Sequence, residues 1–123
     1  MGEVDLVTQR IIGCAIEVHR ALGPGLLESA YQKCMAHEMH LQGIAFRLEV
    51  PIPIEYKSVH LDCGFRIDML VCGVVIELKS VERLTPVHES QVLTYMKLAK
   101  LQTGLLINFN ERRLVEGIRR LKL

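Results

Sequence analysis

The pattern of hydrophobic and polar positions changes period twice along the chain. From Val4 to Leu22 the apolar residues Leu6, Ile11, Ala15, Val18 and Leu22 recur at helical spacing, and Gly23-Pro24-Gly25 cannot continue a helix. A second helix is expected from about Leu26 to Gln42, with Leu27, Ala30, Tyr31, Cys34 and Leu41 on one stripe and Gly43 as its stop. Between Ile44 and Leu61 the period falls to two: Phe46, Leu48 and Val50 alternate with Arg47 and Glu49, and Ile52, Ile54 and Tyr56 with Pro53, Glu55 and Lys57. Pro51 and Pro53 point to an edge position or a bend. Phe65 to Val71 and Val74 to Lys79 read as two strands joined by a tight turn at Cys72-Gly73. Thr85 then caps, and Pro86 opens, a helix to about Lys100, and Gly104 to Phe109 is a short buried strand. In the tail, Leu114, Ile118 and Leu121 fit a helix, while Ile118 to Lys122 fit a final strand equally well. The order ααβββαβ plus a tail predicts one mixed α/β domain over residues 1–123, with helices against a central sheet.

Composition narrows the function classes. Half of the 123 residues are hydrophobic and 24% are charged, which suits one compact domain and excludes a disordered chain. Lys plus Arg number 15 against 14 Asp plus Glu, so a formal charge of +1 cannot hold a polyanion or a membrane by bulk attraction. The longest apolar runs, such as Gly73 to Ile76 and Gly104 to Ile107, are too short to cross a bilayer, and the start Gly2-Glu3-Val4-Asp5 is acidic. A cytoplasmic protein without a membrane partner is the expectation. Cys14, Cys34, Cys63 and Cys72 are scattered and read as buried thiols rather than as disulfides or metal ligands. His37 and His40 are three apart, not four, and lack a third ligand, which speaks against zinc.

The chemistry concentrates on the hairpin. A Cys72-Gly73 turn pairs Val71 with Val74, Leu70 with Val75, Met69 with Ile76, and Asp68 with Glu77. Alternation then puts Ile67, Met69, Val71, Val74, Ile76 and Leu78 on a core face, and Arg66, Asp68, Glu77 and Lys79 on the other. Like charges directly opposed across strands are destabilising, and a divalent cation would compensate them. Asp68, Glu77, the Leu78 backbone carbonyl and water make a plausible Mg²⁺ ligand set. Lys79 would orient or help deprotonate the attacking water, or stabilise charge developing on a phosphate. The same four side chains also suit a plain sheet edge on which Arg66 and Lys79 neutralise Asp68 and Glu77.

Other residues carry weaker signals. Gln91 and Tyr95 share a helical face and suit either a half-buried Tyr with a solvated Gln, or a role in positioning Lys79 or a nucleotide; His88 lies one turn earlier. Glu28 stands in a first helical turn, where the helix dipole alone favours a carboxylate, and Tyr31 one turn on is expected to pack and hydrogen-bond near the site. Residues 111–123 hold Arg112, Arg113, Arg119, Arg120 and Lys122 against Glu111 and Glu116. With Arg66, these arginines are the candidate phosphate contacts, although a solvated charged tail explains them as well.

An Asp on one strand and Glu-x-Lys on the next, here Asp68 and Glu77-Leu78-Lys79, between helices, resembles the PD-(D/E)xK nuclease core. Gly25-Leu26-Leu27-Glu28-Ser29-Ala30-Tyr31 matches the G-x-x-E-x-x-Y signature of the GxxExxY family within that superfamily. Gln91-Val92-Leu93-Thr94-Tyr95 resembles the Q-x-x-x-Y element of its exonuclease-like branches, and the likeness continues to Leu105-Leu106-Ile107-Asn108-Phe109. Ile67 stands where the superfamily's name has proline. The resemblance implies a restriction-endonuclease-like fold, a mixed central sheet flanked by helices. It implies a Mg²⁺-dependent nuclease, with Mn²⁺ as substitute, hydrolysing phosphodiester bonds of DNA in preference to RNA. It also implies that Glu28 joins Asp68 and Glu77 at the metal, with Gln91, Tyr95, Tyr31 and His88 about the substrate pocket. A second copy of the chain and a protein that loads the nucleic acid are candidate partners. The alternative is a non-catalytic nucleic-acid-binding or protein-interaction module on the same fold.

Overall fold

The structure is a computed structural model that describes residues 2–123. Helix α1 spans Glu3–Leu22 and stops at Gly23, and α2 spans Glu28–Leu41. The second helix starts two residues later than its apolar pattern suggested. Leu27 is its N-cap and is 77% exposed, Leu41 is also exposed, and the buried stripe is Tyr31, Met35 and Met39. Strands β1 (Arg47–Pro51), β2 (Ile54–Tyr56) and β3 (Val59–Leu61) follow, then β4 (Arg66–Val71) and β5 (Val74–Lys79). Helix α3 (Pro86–Ala99), strand β6 (Thr103–Asn108), a 3₁₀ turn at Leu114–Gly117 and strand β7 (Ile118–Lys122) complete the chain. The tail therefore resolves as a short 3₁₀ turn feeding a strand.

The main sheet has the order β1-β4-β5-β6-β7, and β2 and β3 form a separate hairpin. Only β5 and β6 run parallel, because α3 crosses between them; the other neighbours are antiparallel. Pro51 lies on β1, at the sheet edge where a missing N–H is harmless. Helices α1 and α2 cover one face through Ile11, Cys14, Tyr31, Met35 and Met39, which meet Met69, Val71, Ile76, Leu78, Leu105, Ile107 and Phe109. Helix α3 covers the other face through Val92, Tyr95 and Met96, against Ile52, Ile67, Val75, Leu106 and Leu121. Each such buried Leu, Ile or Met contributes about 1.5–3 kcal/mol. A Cβ at Gly104 would lie 2.6 Å from Met96 Sδ, so glycine there lets α3 seat directly on β6.

The hairpin adopts the register read from the sequence over Val71↔Val74, Leu70↔Val75 and Met69↔Ile76. Both turn residues have positive φ, +47° at Cys72 and +79° at Gly73, which matches the twist of the flanking strands. The fourth pair is where the ladder gives way. On the other side of β4, β1 pairs as Leu48↔Met69 and Val50↔Ile67, skipping Glu49 and Asp68. Glu49 has φ +51°, and across this irregularity Ile67 packs with the α3-side cluster instead of sharing a face with Met69. Strict alternation over the whole strand, and with it the expected position of Ile67, is thereby corrected. Two of the four cysteines are likewise not buried: all are free thiols, but Cys63 and Cys72 are exposed.

Candidate active site

The break in the ladder frees Asp68 to use its side chain where backbone would otherwise pair. Its Oδ2 accepts the Leu78 N–H at 2.9 Å, which fixes the carboxyl at the mouth of the splayed hairpin. Glu77, on the neighbouring strand, is buried with only 7% of its side chain exposed, and among the described residues its Oε1 has no hydrogen-bond partner. Lys79 Nζ stands 3.7 Å from Glu77 Oε2. Burial, and then the Asp68 carboxyl beside it, push Glu77 from its usual 4.5 up to about 8. Asp68 is also raised, by burial above all, against the opposing pull of the Leu78 N–H. The ammonium of Lys79 lowers both but at 3.7 Å does not offset their desolvation.

Two helices frame this pair from opposite faces of the sheet. From α2, Gln32 Nε2 donates to the Asp68 carbonyl at 3.0 Å and to Glu49 Oε1 at 2.8 Å. A cavity of about 150 Å³ is lined there by Glu28, Ser29, Gln32, Glu49 and Asp68. Glu28 is exposed in the first turn of α2, on the cavity wall, and its charge adds to the upward shift of Glu77. From α3, Tyr95 is nearly buried, accepts from Gln91 Nε2 at 3.1 Å and packs its ring 5.9 Å from that of Phe65. Burial and then the Glu77 charge hold the Tyr95 phenol above its ordinary value.

Some expected site residues serve the frame instead. Tyr31 is fully buried, which corrects its placement in a substrate pocket. Its ring stacks on Phe109 at 4.4 Å, and its hydroxyl donates to the Gly23 carbonyl and accepts the Leu26 N–H. With Gly25 at φ +101°, this explains the glycine and tyrosine of the signature: they shape the loop that aims the first turn of α2, where Glu28 sits. His88 accepts the Thr85 N–H at Nδ1, 2.9 Å away, and so belongs to the capping of α3. Leu78 lies in the parallel ladder opposite Ile107, its N–H taken by Asp68 and its side chain in the core.

The arginines are spread over the surface. Arg66 pairs with Asp62 at 3.5 Å and donates to the Phe65 carbonyl. Arg112 and Arg113 are exposed between β6 and the 3₁₀ turn. Arg119 and Arg120 are exposed on β7; the register puts Arg119 in the cross-strand row of Leu106 and Glu77, with its guanidinium bound to the Glu116 and Ile118 carbonyls.

Sequence reasoning missed three residues. Glu49 read as the solvent partner in an alternating strand, and only the pairing of β1 with β4 brings it beside Asp68. Gln32 carried no signal beyond lying one turn after Glu28. Asn108 is fully buried opposite Lys79, and its amide takes the Val81 N–H and donates to the Val81 carbonyl, both at 3.0 Å, which anchors the chain leaving Lys79.

Among the described residues no three His, Cys, Asp or Glu side chains converge as a ready-made metal cage. What converges is a pair, Asp68 and Glu77, with Lys79 beside it and Glu28 on the adjoining wall. A splayed central hairpin presenting this trio under two flanking helices defines a nuclease-like α/β domain. The family model described as the PD-(D/E)XK nuclease superfamily matches residues 5–121, and the chain belongs to that superfamily. No curated protein and no solved structure matches the chain. No helix among the described residues is long and apolar enough to cross a membrane.

Proposed function

We propose that this protein is a Mg²⁺-dependent nuclease that hydrolyses phosphodiester bonds of DNA, with Mn²⁺ able to substitute. The observation that carries the reading is the Glu77 oxygen, buried without a partner against a second carboxyl. A desolvated carboxyl pair is costly as it stands, and a hard cation relieves it. Mg²⁺ suits this donor set because it is commonly held by one or two carboxylates, with water and substrate phosphate completing the octahedron. Asp68 and Glu77 would hold it, with the Leu78 carbonyl as a neutral donor and Glu28 engaging directly or through water. When bound, the cation would lower the pKa of water and neutralise charge on the phosphate.

The chain's own groups supply the rest. Lys79, with 17% of its side chain exposed, keeps its ammonium beside the acid pair, where it orients the attacking water and stabilises negative charge on the phosphate. Asn108 and the Val81 backbone hold the end of that strand. Gln91 orients the Tyr95 hydroxyl on the α3 side, and together they shape the wall against which the nucleotide lies. The exposed arginines offer phosphate contacts away from the reacting centre.

Cleavage of end-labelled single- and double-stranded DNA and of RNA tests this. Wild type with Mg²⁺ is expected to cut DNA and to stop in EDTA. Folded Asp68→Asn and Lys79→Ala are expected to lose roughly two powers of ten or more in rate, the scale of removing one electrostatic catalytic group. Wild-type rates in both variants, or cutting that persists in EDTA, would refute the mechanism.

A further inference from the structure

The acidic wall contributed by β1 is not used by the reading above. Glu49 lies on an edge strand, exposed, with its backbone at φ +51°. A side chain with a β-carbon is disfavoured in that region, and a strand residue has no intrinsic reason to adopt it. The result is to turn Glu49 toward α2, where Gln32 spans its Oε1 at 2.8 Å and the Asp68 carbonyl at 3.0 Å. One amide thus fixes Glu49 relative to the residue that carries the central carboxyl. Gln32 engages Oε1, which leaves Oε2 as a further acceptor at the cavity.

The lining of this cavity comprises the carboxylates Glu28, Glu49 and Asp68 with Ser29 and Gln32, and no Lys or Arg. Glu77, with only 7% of its side chain exposed and Oε1 unpartnered among the described residues, stands beside Asp68, the carboxylate that lines this cavity and belongs to the proposed cation site. Such a concentration of negative charge, one part of it desolvated, calls for a cation rather than for more acceptors. Resting on the cation site proposed above, we propose that Glu49 is a positioning residue of that site. Clamped by Gln32, it accepts hydrogen bonds from the water shell of the divalent cation held by Asp68 and Glu77, and so sets the cation's affinity. Removing an outer-shell partner of this kind typically weakens metal binding by about 10-fold or more.

Titration of Mn²⁺, followed by the electron paramagnetic resonance of the free ion, tests the assignment on wild type, Glu49→Gln and Glu49→Gly, with Asp68→Asn as control. Glu49→Gln keeps the shape and an oxygen for Gln32 but removes the charge. Glu49→Gly removes the carboxylate and accepts the positive φ without strain. The expected result is Mn²⁺ affinity about 10-fold weaker in both variants at a urea midpoint no lower than wild type, and binding lost in the control. Unchanged affinity in both Glu49 variants, whatever their urea midpoints, overturns the role of Glu49 while leaving Asp68 and Glu77 in place. Wild type that binds no Mn²⁺ overturns the cation site itself, and the role of Glu49 with it.

Discussion

At Glu77, burial and the neighbouring Asp68 carboxyl together outweigh the Lys79 ammonium. The folded chain binds a proton there that the unfolded chain releases near the usual 4.5, because the folded value lies at about 8. Between those values the native state holds the extra proton, so the metal-free protein loses stability as pH rises across that window. Urea midpoints at pH 5, 7 and 8.5 are expected to fall in that order, and saturating Mn²⁺ to remove most of the trend. A midpoint that rises with pH would mean that Glu77 is charged and satisfied in the fold. The nearness of Asp68, Glu77 and Lys79 was legible in the sequence because a two-residue turn fixes the first three hairpin pairs locally; the loss of the fourth pair, Asp68 with Glu77, was not. Glu49 and Gln32 were not legible: their contact spans β1 and α2, and it depends on a left-handed backbone that glutamate gives no sign of adopting.

At the level of elements, the hairpin turn sets the geometry that the site uses. Cys72 sits at φ +47° in the first turn position, exposed, where its β-carbon is disfavoured and asparagine is well accommodated. Cys72→Asn is expected to stabilise the protein by about 0.5–1 kcal/mol in urea denaturation and to leave the hairpin register intact. A destabilised variant would show that Cys72 is held by packing rather than tolerated by the turn. Helix α3 and strand β6 follow from the apolar periods, Thr85-Pro86 and a fully buried run. The start of α2 did not, because Leu26 and Leu27 are apolar yet lie before the helix, where Tyr31 ties the loop by hydrogen bonds that periodicity does not report. The face of Ile67 departs from the sequence pattern for a related reason: alternation assumes an unbroken ladder, and this one breaks at Asp68.

For the whole molecule, the sheet order brings α2 and α3 onto opposite faces of the one hairpin that carries the acidic pair, so each helix contributes a wall. A chain of net charge +1 then concentrates negative charge at that point and spreads its arginines elsewhere, which favours a cation at the centre and phosphates only where the cation draws them. In the proposed function Asp68 and Glu77 form a divalent-cation site. Calorimetric titration of Mn²⁺ at pH 7, in buffers of differing ionisation enthalpy, into wild type and an Asp68→Asn/Glu77→Gln double variant is its most direct test. Saturable binding by wild type with net release of protons is expected, because the cation would displace the one held at Glu77, and no binding by the folded double variant. Equal binding by the two proteins, or none by wild type, would rule that site out.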